Sequence, residues 1–223
     1  MLASASPARL ETLRSAGLAP VVVVSDVDEE AFTAPDVATL VQELARAKAE
    51  AVASRLALPP APPAPTLPVI AANDEASPSD ILVVGCDSLL ELDGEPFGKP
   101  SSPEEAVQRW LRMRGRVGHL HTGHHVIRLG ASSGTASAVA TTEVSFADLS
   151  DEEIEAYVAT GEPVRVAGAF TTDGLGGAYV TSMSGDPHTV VGISLPLLRE
   201  LFGRLGITWH TLWRPADASL GAL

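Results

Sequence analysis

The chain has 223 residues, enough to bury a sizeable core, and a formal net charge of −13 from 28 acidic and 15 basic residues. This charge argues against bulk nucleic-acid binding, because a polyanion groove needs positive charge. No apolar stretch approaches the roughly 18 residues of a membrane span, and no basic segment precedes an apolar one, which predicts no secretory signal. The single cysteine, Cys86, excludes an intramolecular disulfide framework and fits a reducing compartment, so we expect a cytoplasmic protein.

The first quarter of the chain predicts a very short strand, a helix, a buried strand and a second helix. Ser6 is a good N-cap and a proline follows it, so a helix is predicted to run to near Gly17. The apolar, β-branched run from Val21 to Ser25 predicts a buried strand that ends in acidic residues. A helix over about 36–56 carries apolar residues at helical spacing, and Lys48 lies on or beside that apolar stripe.

The residues from Pro59 to Asp80 include seven prolines and predict an irregular, mobile loop insertion, numbered 59–80, within a single domain spanning 1–223. The next predicted elements are a strand from Ile81 to Leu90, a hairpin turn at Asp93-Gly94 and a helix from a capping box at Ser102–Glu105 to about Arg114. Strands are then predicted from Val117 to Leu129 and from Ala136 to Phe146, followed by a helix from a capping box at Ser150–Glu153 to Gly161. The last third predicts a Gly-rich loop from Gly168 to Gly177, a strand from Ala178 to Met183, a helix from Leu195 to Leu205 and a strand from Ile207 to Leu212. This alternation predicts an α/β domain around one mixed sheet.

Two segments near the N-terminus are suited to an anionic ligand and a metal. Between Ser4 and Arg9, small hydroxyl residues lead into a helix N-terminus, which offers free N–H groups and positive charge to an anion. An ordinary capped helix is the alternative. Asp28 and Glu29 follow an apolar run and are the kind of carboxylates that hold Mg²⁺ together with substrate phosphates; a solvated acidic loop is the alternative.

Asp87 and the lysines are the next candidates. Asp87 follows apolar residues in a strand predicted to be buried, so its carboxylate must be paired, bound to metal or placed at a cleft. Lys48 and Lys99 are the only lysines among the 15 basic residues, which marks them for a specific role. Lys99 lies in a short Gly-Lys-Pro loop that is close in sequence to Asp87.

The histidine-rich segment and the other motifs give weaker signals. His119, His121 and His125 would share one face of a strand, but no cysteine or acidic partner lies at metal-ligand spacing, so a zinc site is not favoured. The glycines at 174–177 match neither a dinucleotide fingerprint nor a P-loop. Cys86 lacks an evident catalytic partner and is predicted to lie in the core.

Seven motifs in order carry a family resemblance over nearly the whole chain. They are Leu2-Ala3-Ser4-Ala5-Ser6-Pro7-Ala8-Arg9, Val27-Asp28-Glu29, Leu44-Ala45-Arg46-Ala47-Lys48-Ala49, Val84-Gly85-Cys86-Asp87-Ser88, Gly98-Lys99-Pro100, Gly161-Glu162-Pro163 with Val166-Ala167-Gly168-Ala169-Phe170, and Val190-Val191-Gly192-Ile193-Ser194-Leu195-Pro196. With these motifs the chain resembles the Maf (septum-formation-inhibitor-type) nucleoside triphosphate pyrophosphatases. The resemblance implies a twisted α/β sheet bent into two lobes around a cleft, often in a homodimer.

The resemblance also implies the activity and the roles of the site residues. It implies hydrolysis of non-standard or excess nucleotides between the α and β phosphates, with Mg²⁺ or Mn²⁺. The products would be a nucleoside monophosphate and inorganic diphosphate (pyrophosphate). Asp87 would activate the attacking water, Glu29 would bind metal with Asp87, and Lys99 would assist catalysis by stabilising developing charge. The residues implied in substrate binding are Ser4, Ser6, Arg9, Lys48 and Ser88.

Departures from the family pattern leave alternatives open. Ala8 replaces the first arginine of the opening signature, a loss for which Arg14 or Arg116 would have to compensate. The loop at 171–174 differs from the Gly-Ile-Gln-Gly of the branch that uses dTTP and UTP, which weighs against dTTP as substrate. The chain begins at most two residues before the first motif, so a shortened first strand or a displaced start is expected. The alternatives are a nucleotide-binding regulator of cell division that has lost catalysis and, without a visible acceptor site, a nucleotidyltransferase.

Overall fold

Helices and strands alternate through the part of the chain that the structure describes, as the α/β prediction expects. The computed structural model describes residues 1–56, 80–130 and 132–214, so the predicted insertion at 59–80 lies outside the described residues apart from Asp80. The helices are α1 (Pro7–Ser15), α2 (Val37–Leu56), α3 (Pro103–Met113), α4 (Asp151–Ala159), α5 (Pro187–Val191) and α6 (Leu195–Arg204). The strands are β1 (Ile81–Leu92), β2 (Glu95–Phe97), β3 (Val117–Leu129), β4 (Gly134–Phe146) and β5 (Val180–Ser184).

The strands form one sheet in the order β2-β1-β3-β4-β5, and every neighbouring pair is antiparallel. Within the described part of the chain, parallel pairing, which a mixed sheet requires, is confined to isolated bridges from Leu2 to Val22 and to Val84. The predicted turn at Asp93-Gly94 joins β1 to β2. Both of its residues have positive φ, 55° and 80°, as the tight turn between antiparallel strands requires.

Helix α2 packs directly on one face of the sheet because two glycines leave room for it. A Cβ atom on Gly85 of β1 would lie 2.2 Å from the carbonyl oxygen of Ala45, and one on Gly123 of β3 would lie 2.2 Å from that of Val41. Gly123 is the register partner of Asp87 on β1. The close approach therefore brings α2 to the position of Asp87.

The opposite face of the sheet carries two separate hydrophobic clusters. One cluster packs β1 residues such as Cys86 against α1 and α6, with Leu13 and Leu198 among its buried members. The other packs Leu90 of β1 against α3 and α4 around the fully buried Trp110. Ser88 lies on β1 between Cys86 and Leu90, so this polar position separates the two clusters.

Two of the predicted strands are wrong. The run from Val21 to Ser25 makes only the bridge at Val22, and Val21 is 61% exposed rather than buried. The run pairs only with Leu2: the N–H of Leu2 donates to the carbonyl of Val21, and the N–H of Val23 donates to the carbonyl of Leu2. No described strand continues that pairing. The second wrong strand is the one predicted from Ile207 to Leu212, where the structure has a 3₁₀ helix, Trp209–Leu212. The N–H of Thr211 donates back to the carbonyl of Thr208, and Trp209 packs on Phe202.

Helix starts follow the predictions with one difference. Ser150 and Glu153 form the full capping box at the start of α4. At α3, Ser102 caps the N–H of Glu105, but the Glu105 carboxylate bonds the N–H and hydroxyl of Ser101 instead of the N–H of Ser102. The short helix α5 is not predicted from the sequence.

Candidate active site

A cleft of about 740 Å³ lies where the first turn of α1, the middle of β1 and the loops after β2 and α4 meet. The eight site residues implied by the family resemblance all line it, whereas Asp28, the other carboxylate considered for a metal, does not. The eight are Ser4, Ser6, Arg9, Glu29, Lys48, Asp87, Ser88 and Lys99. The cleft therefore draws together site residues from distant parts of the chain, from Ser4 near its start to Lys99 after β2.

At the bottom of the cleft, Lys48 joins two carboxylates. Its Nζ lies 2.5 Å from Oδ1 of Asp87 and 2.7 Å from Oε1 of Glu29. Lys48 is only 7% exposed and Asp87 only 6%, whereas Glu29 is open to solvent. The ammonium group thus satisfies a buried carboxylate that would otherwise be costly to fold around, and it draws Glu29 toward the same point.

Burial also sets the basicity of Asp87. Removal from water raises the pKa of the Asp87 carboxyl, and the positive charges of Lys48 and Arg9 oppose that rise. The result is a carboxylate that is more basic than an exposed one and that faces a cleft. Such a group is suited to accept a proton from a bound water.

Glu29 reaches the cleft without a strand to deliver it. It begins a 3₁₀ turn, Glu29–Ala31, whose N-cap Asp28 accepts a hydrogen bond from the N–H of Glu30. The preceding segment is held by Arg55 of α2, which donates to the carbonyl oxygens of Val24 at 2.8 Å and Ser25 at 2.6 Å. Helix α2 therefore supplies Lys48 and also holds the chain that leads to Glu29.

Arg9 organises the opposite side of the cleft. Its guanidinium donates to Ser4 Oγ at 2.9 Å, to Ser88 Oγ at 2.9 Å and to the carbonyl of Gly192 at 2.7 Å. Ser88 Oγ lies 2.9 Å from Thr122 Oγ1, which donates to the carbonyl of Thr189. These bonds tie α1 and β1 to the residues around α5.

Two further cations line the cleft without an ion pair to any described residue. Lys99 is exposed in the loop after β2, and Arg165 is exposed in the loop after α4. The sequence reading missed Arg165, because an isolated arginine in a loop has no periodic or motif signal. Neither arginine proposed to compensate for Ala8 lines the cleft, and Arg116 is bound to Asp93 at 2.5 Å.

Glu162, also missed as a functional residue, fixes the wall of the cleft formed by residues 171–173. Its carboxylate accepts hydrogen bonds from the hydroxyls of Tyr157 at 2.8 Å and Thr171 at 2.6 Å, and from the amides of Leu175 and Gly176. These bonds outweigh partial burial and lower the pKa of Glu162 to about 2. The carboxylate is a fixed anchor for the loop that leads from α4 to β5.

Two of the buried histidines of β3 have hydrogen-bond partners, whereas neither ring nitrogen of buried His125 has one among the described residues. On the α2 face, His121 lies 3.1 Å from Glu91 Oε2 and 2.9 Å from Thr141 Oγ1. On the other face, His124 Nε2 accepts a hydrogen bond from Ser194 N. Over 1–56, 80–130 and 132–214, no group of three or more His, Cys, Asp or Glu side chains is arranged to hold a metal.

Two further observations bear on the class of protein. Burial raises the pKa of the Cys86 thiol to about 12, so Cys86 is a core residue and not a nucleophile. Among the described residues, none of the helices has the length and apolar character needed to cross a membrane.

Comparisons with known proteins agree with the motifs in the cleft. A family model described as Maf-like protein matches residues 1–205. A protein of Salinispora tropica is 51% identical over 213 residues, covering 96% of this chain and 86% of its own. One of Nocardia farcinica is 52% identical over 221 residues, covering 96% of both chains. One of Streptomyces coelicolor is 50% identical over 217 residues, covering 97% of this chain and 95% of its own.

Each of these three relatives is named a nucleoside triphosphate pyrophosphatase. The family match spans most of the chain and includes every motif that lines the cleft. The chain therefore belongs to the Maf family.

Proposed function

We propose that this protein is a nucleoside triphosphate pyrophosphatase that hydrolyses the α–β phosphoanhydride bond of non-standard or excess nucleotides. The products are a nucleoside monophosphate and pyrophosphate. The observation that carries the proposal is the cleft, which places basic side chains for a triphosphate beside a buried carboxylate. The names of the relatives from Salinispora, Nocardia and Streptomyces support the same activity.

The positive groups of the cleft bind the triphosphate. Arg9, Lys48 and Lys99 balance its charge, and the start of α1 near Ser6 offers backbone N–H groups and the positive end of the helix dipole. Because hydrolysis adds negative charge to the leaving phosphate, cations already fixed in the cleft favour the transition state over the ground state.

Asp87 serves as the general base. Lys48 holds Oδ1, so Oδ2 is the oxygen that takes a proton from water. The water oxygen attacks one of the two phosphorus atoms that the α–β bridging oxygen joins. The bond from that phosphorus to the bridging oxygen breaks, and its electron pair leaves with the departing phosphate group. The raised pKa of Asp87 favours this proton transfer, because a more basic carboxylate accepts a proton more readily.

The carboxylates of Asp87 and Glu29 fit a divalent cation such as Mg²⁺ or Mn²⁺. The two carboxylates lie close together, because each contacts the Lys48 ammonium group through one oxygen, and each keeps a second oxygen. Mg²⁺ prefers one or two carboxylates with substrate phosphates to a full protein cage, which is the ligand set offered here. When bound, the metal neutralises charge on the phosphate oxygens.

We also place the enzyme in the cytoplasm, where nucleotides are made and consumed. The single cysteine, Cys86, is buried and unpaired, which suits a reducing compartment.

The proposal is tested by incubating the purified chain with Mg²⁺ and a panel of nucleoside triphosphates, including methylated and deaminated bases, and separating the products. We expect monophosphate and pyrophosphate in equal amounts. Asp87→Asn should reduce kcat by at least about 100-fold, because the general base is lost. Asp93→Asn is the matched control, since Asp93 is an exposed turn residue outside the cleft and should leave kcat unchanged.

Two results would contradict the proposal. Release of inorganic phosphate and nucleoside diphosphate would place cleavage at the wrong bond. Triphosphate binding without turnover on any base would instead support the nucleotide-binding regulator.

A further inference from the structure

The backbone of the Lys99 loop is held by helix α3. The carbonyl oxygen of Gly98 accepts two hydrogen bonds, one from Nη1 of Arg109 at 2.5 Å and one from the N–H of Gly168 at 3.0 Å. Arg109 belongs to α3 and does not line the cleft. The residue directly before Lys99 is therefore fixed by a side chain behind the cleft wall.

The same arginine is connected to the residues after Lys99. Its Nη2 lies 2.5 Å from Oε1 of Glu105, and Oε2 of Glu105 accepts hydrogen bonds from the N–H and hydroxyl of Ser101, at 2.7 and 2.6 Å. The bonds from Ser101, and then that from Arg109, lower the pKa of Glu105 to about 2, so the carboxylate is ionised at neutral pH. Arg109 and Glu105 together bracket Lys99 on both sides.

Arg109 is itself well fixed. Its guanidinium lies over the ring of Phe97, 5.3 Å from the ring centroid, and its side chain is only 14% exposed. A guanidinium is suited to this role because its planar fork donates to two acceptors at once, which an ammonium on a flexible stem does not do as well.

Lys99 cannot fix its own position. It is exposed and forms no ion pair with any described residue, so the place of its ammonium group depends on the backbone that carries it. We infer that Arg109 is a positioning residue for Lys99, holding the Gly98 carbonyl and the Glu105–Ser101 contact so that the ammonium group reaches the bound phosphates. This inference rests on the proposed function, since it needs Lys99 to act on a phosphate.

The inference is tested with Arg109→Gln, which keeps a polar side chain but loses the two-acceptor fork. We expect kcat/KM for the preferred triphosphate to fall about tenfold, because a catalytic group displaced by a fraction of an ångström loses much of its effect. Arg112→Gln is the matched control. Arg112 is on the same helix and lies over the same Phe97 ring at 4.8 Å, but it pairs with exposed Glu95 and should change activity by less than about twofold.

A double-mutant cycle distinguishes positioning from a general structural role. In a Lys99→Ala background, Arg109→Gln should have less than about a twofold further effect, because the group that it positions is gone. Glu105→Gln should reproduce the Arg109→Gln phenotype, and it serves as the second variant if Arg109→Gln does not fold. Thermal unfolding of every variant provides the stability reference.

The cycle is repeated on the dissociation constant of an α,β-methylene triphosphate analogue, measured by calorimetry. An equal loss from Arg109→Gln with and without Lys99 would overturn the inference, as would no loss at all in variants that fold. A wild-type chain that binds the analogue but does not hydrolyse triphosphates would overturn the proposed function, while the binding cycle would still decide the role of Arg109.

Discussion

The ammonium group of Lys48 is bound by one buried and one exposed carboxylate, and this sharing is what makes its burial tolerable. Leaving a buried charge without its partner typically costs about 3–5 kcal/mol, so Lys48 and Asp87 stabilise each other as well as the site. The helical spacing of α2 predicts that Lys48 lies beside the apolar stripe, and this is confirmed. Its partners, at positions 29 and 87, do not follow from spacing; the grouping came from the family resemblance.

The side chains that sequence reasoning missed share a physical reason. Arg165 and Arg109 are two of 13 arginines, and neither lies in a pattern that separates it from an arginine on the surface. Glu162 belongs to a quoted motif, but its role depends on groups that fold back to it, such as the hydroxyl of Thr171. Contacts made by loops depend on tertiary structure, so a single sequence does not reveal them.

His124 makes stability depend on pH. Its imidazole is fully buried in β3, and burial lowers its pKa to about 4. Nε2 accepts from the N–H of Ser194, so Nδ1 carries the proton and donates to the carbonyl of Thr122 at 3.0 Å. Both contacts need the neutral ring.

Between pH 6.5 and 4 the unfolded chain binds a proton at position 124 that the folded chain does not, so the stability from neutral His124 is present above pH 6.5 and lost as the pH falls to 4. The loss should be about 3 kcal/mol. We expect the difference in unfolding free energy between the wild type and His124→Gln to shrink by this amount over that range in urea titrations.

At the scale of elements, the contact between α2 and the sheet is the feature that assembles the site. It depends on Gly85 and Gly123, where any side chain would meet the helix backbone. Gly123 also faces Asp87 in register, so the same contact brings Lys48 to Asp87.

Gly123→Ala should therefore displace α2. We expect the free energy of unfolding to fall by about 2–3 kcal/mol in urea denaturation, and kcat/KM to fall with it, because the helix carries Lys48.

Gly203→Ala is the matched control for that substitution. Nothing lies within 4 Å of a Cβ atom at Gly203 of α6, so alanine should leave activity unchanged and raise stability by up to about 1 kcal/mol. A Gly123→Ala variant as stable as the wild type would contradict the close packing of α2 on the sheet.

Most elements were predictable because their signals are local. The capping residues of α1, α3 and α4, the apolar stripe of α2 and the Asp93-Gly94 turn lie in consecutive residues. The two wrong strands show the limit of this information. Val21–Ser25 and Ile207–Leu212 have strand-like composition, but a strand also needs a neighbour to pair with, and only tertiary structure decides whether one is available.

At the scale of the whole molecule, charge is distributed unevenly. The net charge is −13, yet the cleft holds Arg9, Lys48, Lys99 and Arg165, and of these four only Lys48 forms an ion pair with a described residue. The net charge of the whole chain argues against a groove that binds a polyanion such as nucleic acid, and it gives no information about a single small site. The cleft lining also includes Asp26, Glu29, Asp87 and Asp173, so basic and acidic side chains are equal in number there, and the cleft lacks the excess negative charge of the whole chain.

A triphosphate bound in this cleft would contact several elements at once, since the lining comes from α1, β1 and the loops after β2 and α4. The α,β-methylene triphosphate analogue at about 100 times its dissociation constant should therefore raise Tm, through about 2.7 kcal/mol of linkage, by about 5–10 °C. Differential scanning fluorimetry measures the shift. The corresponding nucleoside at the same concentration should leave Tm unchanged; an equal shift would mean that the cleft does not recognise phosphates.

The bond from Arg9 to the carbonyl of Gly192 spans 183 positions of the chain. During synthesis, α1 leaves the ribosome long before the residues around α5 exist, so a nascent chain holds Arg9 without this partner. A translation product cut short before Gly192 would keep the motifs of the first hundred residues and still present an unfinished phosphate site. The site around Arg9 is thus expected to be completed only after the residues around α5 have been made.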